Sequence, residues 1–422
     1  MRVIVIGAGV IGTTSAWYLA ADGHQVTVLE RRPGPAEETS RANGGQISAS
    51  HTEPWASPAN LIQAIGWLGR RDAPLVLPWW KPDPELWGWL LGFLRNCTPG
   101  RAQANQARAL RLAVHSRVCL GALRDQLDLD YEQARPGILN LYRTPQGWTR
   151  ARRAVPAMRA NGLAVEPLEA AAIKAREPAL AHLGDLAGGL LSPDDETGDA
   201  HLFTRALATH AAQAGVGFRF DCPVRGLLVE GGGRRVIGVE TTDGPWRADA
   251  VVLAAGSFSA PLAGKAGLEL PIYPAKGYSL TVDTSATPAE YLPRHSLIDH
   301  HTRMVYARLG DRLRAAGTAE LTGYGDDVDP GRWAVVRDHA RALLPHAGDY
   351  AEAQPWAGLR PATPDSCPII GPAPLPGLWL NSGHGTLGWT MAAGSGQLLA
   401  DLMAGRAPAI EAADLGLNRG RS

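Results

Sequence analysis

The chain opens on an apolar run, "MRVIVIG", which reads as a short strand buried on both faces. A glycine turn follows, then apolar positions at helical spacing through "TTSAWYLAADG", with Gly23 ending the helix. "HQVTVLE" alternates as a second strand. Strand, tight glycine turn, helix and strand in this order form a βαβ unit of Rossmann type. The stretch "RRPGPAEETSRANGGQISASH" breaks both periods and predicts a loop.

From Pro58 to Gln126 helical spacing prevails, with prolines between the helices, and reads as an insertion rather than a continuation of the parallel sheet. "GILNLYRT" returns to a strand pattern, and a helix and a strand follow Asp199. "VRGLLVEGGGRRVIGVETTDGPWRADAVVLAAGSFS" reads as a meander ending on the apolar strand "AVVLAAGS", which belongs in the same sheet as the first strand. Between Pro271 and Gly323, alternating segments such as "GYSLTVD", "RMVYARLG" and "RLRAAGTAE" predict an antiparallel sheet. A helix from Trp333 to Leu344, the proline-punctuated "GLRPATPDSCPIIG", the short strand "GLWLNSG" and the helix "WTMAAGSGQLLADLMAG" complete the pattern.

Composition narrows the function classes. Lys+Arg 41 balances Asp+Glu 41, so the basic excess of a nucleic-acid binder is missing and a small partner is expected. Cys97, Cys119, Cys222 and Cys367 lie far apart without metal-ligand spacing and read as reduced thiols. No leader pattern begins the chain, and no apolar stretch approaches the roughly 18 residues of a membrane span. A cytoplasmic protein is expected, with a peripheral place on the inner face of the cell membrane left open. Trp55, Trp67, Trp79, Trp80, Trp87 and Trp89 crowd one early segment.

Two glycine runs share the G-x-G-x-x-G spacing. Gly7-Ala8-Gly9-Val10-Ile11-Gly12 follows a strand and opens a helix, so Gly7 permits the turn, Gly9 admits a pyrophosphate, and Gly12 allows close packing. Glu30 ends the second strand, where a carboxylate accepts hydrogen bonds from ribose hydroxyls. Arg31 and Arg32 beside it read as solvated, because Glu30 would repel the extra phosphate of NADP. In the second run, Gly383-His384-Gly385-Thr386-Leu387-Gly388, a helix follows but no second strand ending in an acid. It suits an electron-rich group other than ribose, the alternative being a helix packed through small residues. His384 reads either as a base or as a residue acting through its backbone.

Arg360, set between Leu359 and Pro361, is suited to bidentate capture of a carboxylate, although a surface arginine reads equally well from its residues alone. Tyr273, Tyr278 and Tyr306, with Lys276 and Arg308 near them, are either substrate-orienting or packing residues. Hydrolytic motifs are missing.

Taken together, "VIVIGAGVIGTTSAWYLAADGHQVTVLER", "ETSRANGGQIS", "DETGDAHLFT", "YPAKGYSLT", "GLRPATPDSCPIIG" and "LNSGHGTLGWTMAAGSGQLLADL" resemble the bacterial D-amino acid dehydrogenase small-subunit family. That family belongs to the FAD-dependent amine-oxidising group that includes glycine, sarcosine and D-amino acid oxidases. The resemblance implies an α/β fold of mixed α+β character. A Rossmann-type FAD-binding domain with a central parallel sheet would comprise 1–57, 145–270 and 355–422. A substrate domain with an antiparallel sheet and helical insertion would comprise 58–144 and 271–354.

It also implies noncovalent FAD, with the AMP half at Gly7, Gly9, Val10, Ile11, Gly12, Glu30 and Arg31. Ser40, Asn43, Gly44, Gly45, Gln46 and Ile47 would line the pyrophosphate and flavin, Val224 the adenine, and Ala255 and Gly256 the ribityl side. Gly358 and the run Gly383, His384, Gly385, Thr386, Leu387, Gly388 would face the flavin ring. Arg360 would bind the substrate carboxylate, helped by Tyr278 and Tyr306. The reaction implied is hydride transfer from a D-amino acid to flavin N5, yielding a 2-oxo acid and ammonia. Electrons would pass to a quinone or another non-oxygen acceptor. The rival readings are an oxidase of glycine, sarcosine or proline-like amines, a colourless NAD-dependent reductase, and a noncatalytic flavin subunit. The polar positions His51 and Glu53 leave side-chain preference open. The tryptophan segment 79–94 reads either as a membrane-docking surface or, preferably, as a helix packed on its own domain.

Overall fold

In the computed structural model, which describes residues 1–70, 73–78, 82–232 and 235–419, strand Arg2–Ile6 pairs in parallel with Gln25–Leu29 on one side and Ala250–Leu253 on the other. Gly217–Arg219 and Leu378–Ser382 extend this sheet in parallel at its two sides, and Ile369–Pro372 closes one edge antiparallel. Alternation along "VIVI" serves two cores. Val3 and Val5 join Val26, Val28 and Val252 in one, while Ile4 and Ile6 join Leu29, Val251 and Leu253 in the other. A strand with no polar face is what a parallel sheet covered on both sides requires.

Helices Val10–Ala21, Pro99–Gln126, Ala200–Gln213 and Gly388–Met403 cover the first core. The antiparallel meander Val224–Glu230, Arg235–Thr241 and Gly244–Arg247 covers the second, through Val236 and Val239. The first and last of these helices cross closely. A Cβ on Gly396 would lie 2.8 Å from the Thr14 carbonyl carbon, and Thr14 Oγ1 donates to the Ala392 carbonyl at 3.0 Å.

The expected helical insertion contains Pro58–Trp67, Pro84–Asn96 and Pro99–Gln126, each with proline in its first turn. Ser57 and Asp83 cap the first two, accepting from the Asn60 and Leu86 N–H groups at 3.3 and 3.0 Å. Between these helices, Leu75–Val76 forms a strand too short to show a period.

The second sheet has nine strands. Its order is Gln354–Ala362, Tyr273–Asp283, Arg312–Glu320, Met304–Leu309, Ser296–Asp299, Ile138–Tyr142, Gly188–Ser192 and Glu166–Glu169, with Leu75–Val76 beside Arg312–Glu320. Helix Pro330–Leu343 shields its outer face, where Tyr278, Leu280, Leu313 and Val336 share a core. Strands of the 145–270 span lie in both sheets, Glu166–Glu169 and Gly188–Ser192 in this one, Gly217–Arg219 and Ala250–Leu253 in the first. Pro99–Gln126, from the 58–144 span, packs with the helices over the first sheet.

The acidic motif "DETGD" fastens the two layers together. Buried Asp195 accepts from Ser48 Oγ at 2.7 Å and the Ala49 N–H at 3.1 Å, fixing the loop after Ile47. Glu196 accepts from Arg124 Nη2 at 3.1 Å. Asp199 caps Ala200–Gln213 through the His201 N–H at 2.8 Å and also takes Arg312 Nη2 at 3.1 Å from the large sheet.

Gly396→Ala is expected to destabilise the protein by about 1–3 kcal/mol through overpacking. Gly88→Ala, in an exposed helix interior with nothing within 4 Å of the added Cβ, is expected to stabilise it by about 0.4–1 kcal/mol. Denaturation of the two variants in parallel checks both signs.

Candidate active site

The carboxyl ends of the parallel strands open on one cavity of about 960 Å³, closed from the far side by the large sheet at Gly277, Ser279, Val305, Ala316 and Thr318. Gly7 has φ +103° and its N–H donates to the Leu29 carbonyl at 2.9 Å. A Cβ on Gly12 would lie 1.9 Å from the Gly7 oxygen, so the helix begins tight against the turn. The Glu30 carboxylate is held in place by the Ala8 N–H at 2.7 Å and the Arg32 N–H at 2.9 Å. Burial raises its pKa, against the pull of those two donors.

The Val10 N–H donates to Ser40 Oγ at 3.1 Å, drawing the second loop over the glycine turn. There Asn43 Oδ1 accepts the Gly45 N–H at 3.0 Å, and Gln46 Nε2 donates to Ser296 Oγ at 2.7 Å. A Cβ on Gly44 would come within 2.6 Å of Val305. Gly7, Gly9, Val10, Ile11, Glu30, Ser40 and Asn43 to Gln46 all line the cavity, as do Val224, Ala255, Gly256 and Gly358. Gly12 packs behind the lining, and so does Ile47, which is buried in the helical core. Arg31 also reaches the cavity, but it and Arg32 are not simply solvated. Their Nε atoms share Glu38 Oε1 at 2.6 and 2.8 Å, and the Arg31 guanidinium lies 3.7 Å from the Phe258 ring centroid.

The second glycine run turns strand Leu378–Ser382 into helix Gly388–Met403. Gly385 N–H donates to the Pro361 carbonyl at 2.9 Å and His384 bridges Ala362, pinning this turn to the segment that carries Arg360. His384 and Gly385 to Gly388 line the cavity, and Gly383 sits behind them against Thr363. The N–H groups of the first helical turn lack intrahelical acceptors and give this wall a positive end. His384 Nε2 pairs with Ser395 Oγ at 2.9 Å, and burial pulls its pKa down to about 3, leaving a neutral ring that is a very weak base.

Arg360 lies flat over Gly277, where an added Cβ would fall 2.0 Å from its Nη1. Nη1 donates to the Thr318 carbonyl at 2.8 Å, and no carboxylate pairs with it among the described residues. Burial lowers its pKa to about 10. Of the two tyrosines expected to assist it, Tyr278 is among the residues that line the cavity and Tyr306 is not, and the Tyr278 hydroxyl is engaged by a neighbouring carboxylate. Tyr278 points to the opposite strand face from Gly277 and Ser279, donating to Glu320 Oε2 at 2.9 Å, and Tyr306 is fully buried in the same core under helix Pro330–Leu343. Tyr273 likewise donates elsewhere, to Asp83 Oδ2 at 2.6 Å. Lys276 turns to the Asp327 carbonyl at 3.2 Å and Arg308 to that of Gly310 at 3.3 Å.

Several lining residues carried no sequence signal. His300 Nε2 bonds Asn140 Oδ1 at 2.9 Å, its ring stacks on Tyr142 at 4.6 Å, and Arg303 lies in the turn just beyond it. Of the two polar positions left open, His51 lies in the lining, edge-on to His300 at 5.6 Å, and Glu53 lies outside it. The tryptophan segment splits by face. Trp89 is buried, donating to the Ala362 carbonyl at 2.8 Å, while Trp87, Leu91 and Leu94 are exposed at the cavity rim beside Ile65 and Leu68. Trp79 and Trp80 lie outside the described residues. Cys367 is fully buried, and burial pushes its thiol up to about 12. Among the described residues no cluster suits a metal ion, and no helix is long and apolar enough to cross a membrane.

A family model described as FAD dependent oxidoreductase matches residues 2–402. A D-amino acid dehydrogenase of Paramagnetospirillum magneticum is 53% identical over 420 residues, covering 99% of each chain. One from Dechloromonas aromatica is 47% identical over 417 residues, covering 97% of this chain and 98% of its own. Among solved structures, glycine oxidase from Geobacillus kaustophilus superposes with a TM-score of 0.78 at 24% identity, covering 99% of this chain and 98% of its own.

The neutral, buried His384 carries a pH signature. Its folded pKa lies below the unfolded value, so the unfolded chain binds the extra proton as pH falls below about 6.5. Its contribution to stability is present above that pH and declines toward about 3. His384→Asn should therefore flatten the acid-side loss of stability by up to about 1.4 kcal/mol per pH unit. Urea denaturation at pH 4.5 and 6.5 measures this.

Proposed function

Because this chain belongs to the FAD dependent oxidoreductase family, we propose that it is a D-amino acid dehydrogenase whose substrate carboxylate is held by Arg360. The observation that carries this reading is the Arg360 guanidinium itself, half-buried in the wall of the cofactor cavity, with one backbone carbonyl as its partner among the described residues. A partly desolvated guanidinium lacking an anion is poised to take a carboxylate through two parallel hydrogen bonds. The identity of 53% over nearly the whole chain supports D-amino acids as the substrate class.

The lining suits FAD. The cavity volume is at the upper end of the roughly 300–1,000 Å³ typical of ligand sites, and Gly7, Gly44 and Gly256 keep its walls free of side chains where the chain turns. Gly7, Gly9 and Glu30 would hold the adenosine half, Ser40 and Asn43 to Gln46 the middle, and His384 to Gly388 the ring. When bound, FAD supplies two-electron acceptor chemistry. Arg360 fixes the substrate by its carboxylate and so orients the Cα–H bond. The N–H groups opening helix Gly388–Met403 favour negative charge at that wall, and neutral His384 adds no competing positive charge. The oxidised product, an imino acid, takes up water and releases ammonia to leave the 2-oxo acid.

The apolar rim supports an acceptor of the quinone class, reached from a membrane surface. Ile65, Leu68, Trp87, Leu91 and Leu94 combine exposure with a place at the cavity mouth. Such a contiguous apolar patch marks an interaction surface.

Arg360→Ala should raise the Michaelis constant for D-amino acids about 100-fold or more while the yellow flavin absorbance is retained. Unchanged steady-state constants would contradict the reading. Leu91→Glu should reduce turnover with a vesicle-borne quinone and leave turnover with a soluble dye intact. Rapid peroxide formation without any response to quinone would point to an oxidase instead.

A further inference from the structure

The cavity beyond the second glycine turn holds two guanidiniums and no available carboxylate. Each acid of the lining is already engaged. Glu30 is held by two backbone N–H groups, and Glu38 by Arg31 and Arg32. Glu37 accepts from Arg41 at 2.9 Å, and fully buried Asp299 from Arg143 Nη2 at 3.0 Å. Arg360 rests on the Thr318 carbonyl. The other cation is Arg303, in the turn before strand Met304–Leu309, and its partners are neutral amide oxygens, Gln63 Oε1 at 2.6 Å and Asn60 Oδ1 at 3.4 Å. Glu53 lies outside the lining, its carboxylate 3.3 Å from His51 Nδ1 and near enough to attract Arg303 without a direct bond to it.

The two guanidiniums are held from neighbouring strands: Val305 pairs with Ala316, Arg303 lies just before that pair, and Thr318, whose carbonyl takes Arg360, lies just after it. A Cβ on Gly317 would indeed lie 3.3 Å from the Arg303 carbonyl oxygen. His51 and His300 add polar ring edges to the same wall. An amino acid with an uncharged side chain brings one carboxylate, to Arg360, and leaves the exposed Arg303 at the cavity wall without an ionic contact to the substrate.

Resting on the dehydrogenase reading above, we propose that Arg303 anchors the substrate side chain and that the site prefers D-amino acids with an acidic side chain. The α-carboxylate sits on Arg360 and the distal carboxylate on Arg303. D-Glutamate and its uncharged isostere D-glutamine separate this from general polarity.

The test is the ratio of kcat/KM for D-glutamate over D-glutamine in the holoenzyme, with D-alanine as a reference substrate. The wild-type ratio should be tenfold or more, Arg303→Met should bring it to about one, and Arg303→Lys should restore part of it. A wild-type ratio at or below one overturns the inference, whatever the variants do. So does a ratio that stays high in Arg303→Met, the result expected if Arg303 only clasps helix Pro58–Trp67 through Gln63 and affects every substrate alike. Failure of all D-amino acids, D-alanine included, to bleach the flavin would overturn the dehydrogenase reading and this inference with it. Bleaching by D-alanine with an indifferent ratio overturns this inference alone.

Discussion

The site depends on how near two backbones come where strand Arg2–Ile6 ends beside Ala250–Leu253. A Cβ on Gly7 would lie 2.8 Å from the Ala254 carbonyl oxygen, so no side chain fits between the two turns. With Leu378–Ser382 paired in parallel on the far side of Ala250–Leu253, the turns after three parallel strands gather at one sheet edge. Ligands of open α/β sheets bind outside the carboxyl ends of their strands for this reason. Asn381 Nδ2 reinforces the arrangement by donating to Ser15 Oγ at 2.9 Å, tying the last parallel strand to the first helix.

Two basic groups that line the cavity, His384 and Arg360, are treated in opposite ways by burial. His384 loses its proton readily and stays uncharged, while Arg360 keeps its charge because a guanidinium starts from so high a pKa. One wall is therefore polar without being cationic, and the other carries a fixed positive charge beside a carbonyl. The fold obtains this contrast by pinning both residues to each other's segments, through the Gly385 to Pro361 hydrogen bond and the His384 bridge to Ala362.

Much of this was legible in the chain because the βαβ unit is local. Gly7, Gly9, Gly12 and Glu30 take their places from a few dozen consecutive residues, and periodicity is strong where one face or both are apolar. The hydroxyl partners of the tyrosines were not legible. Tyr278 and Gly277 are adjacent in a strand buried on both sides, so alternation separates their side chains but cannot say that the Tyr278 hydroxyl meets Glu320. Arg303 and His300 were hidden for a different reason: their place is set by pairings between strands remote in sequence, and "DHHTR" has no period or motif spacing. Arg31 and Arg32 are solvent-accessible as read, but their shared partner Glu38 was not legible, because it lies in a loop whose path only the tertiary structure fixes.

The crossing of helix Val10–Ala21 with helix Gly388–Met403 joins segments made at opposite times during synthesis. At roughly 5–20 residues per second, the ribosome needs on the order of 20–75 s to go from one to the other. For the whole of that interval the first helix lacks the final helix as its cover, and for the larger part of it strand Arg2–Ile6 also lacks its neighbour Ala250–Leu253. Long-range pairings of this kind close late and leave apolar surface open in the meantime. The last helix is thus also the event that commits the chain to its fold, and truncation just before it would leave the cofactor turn without its lid and its packing partner.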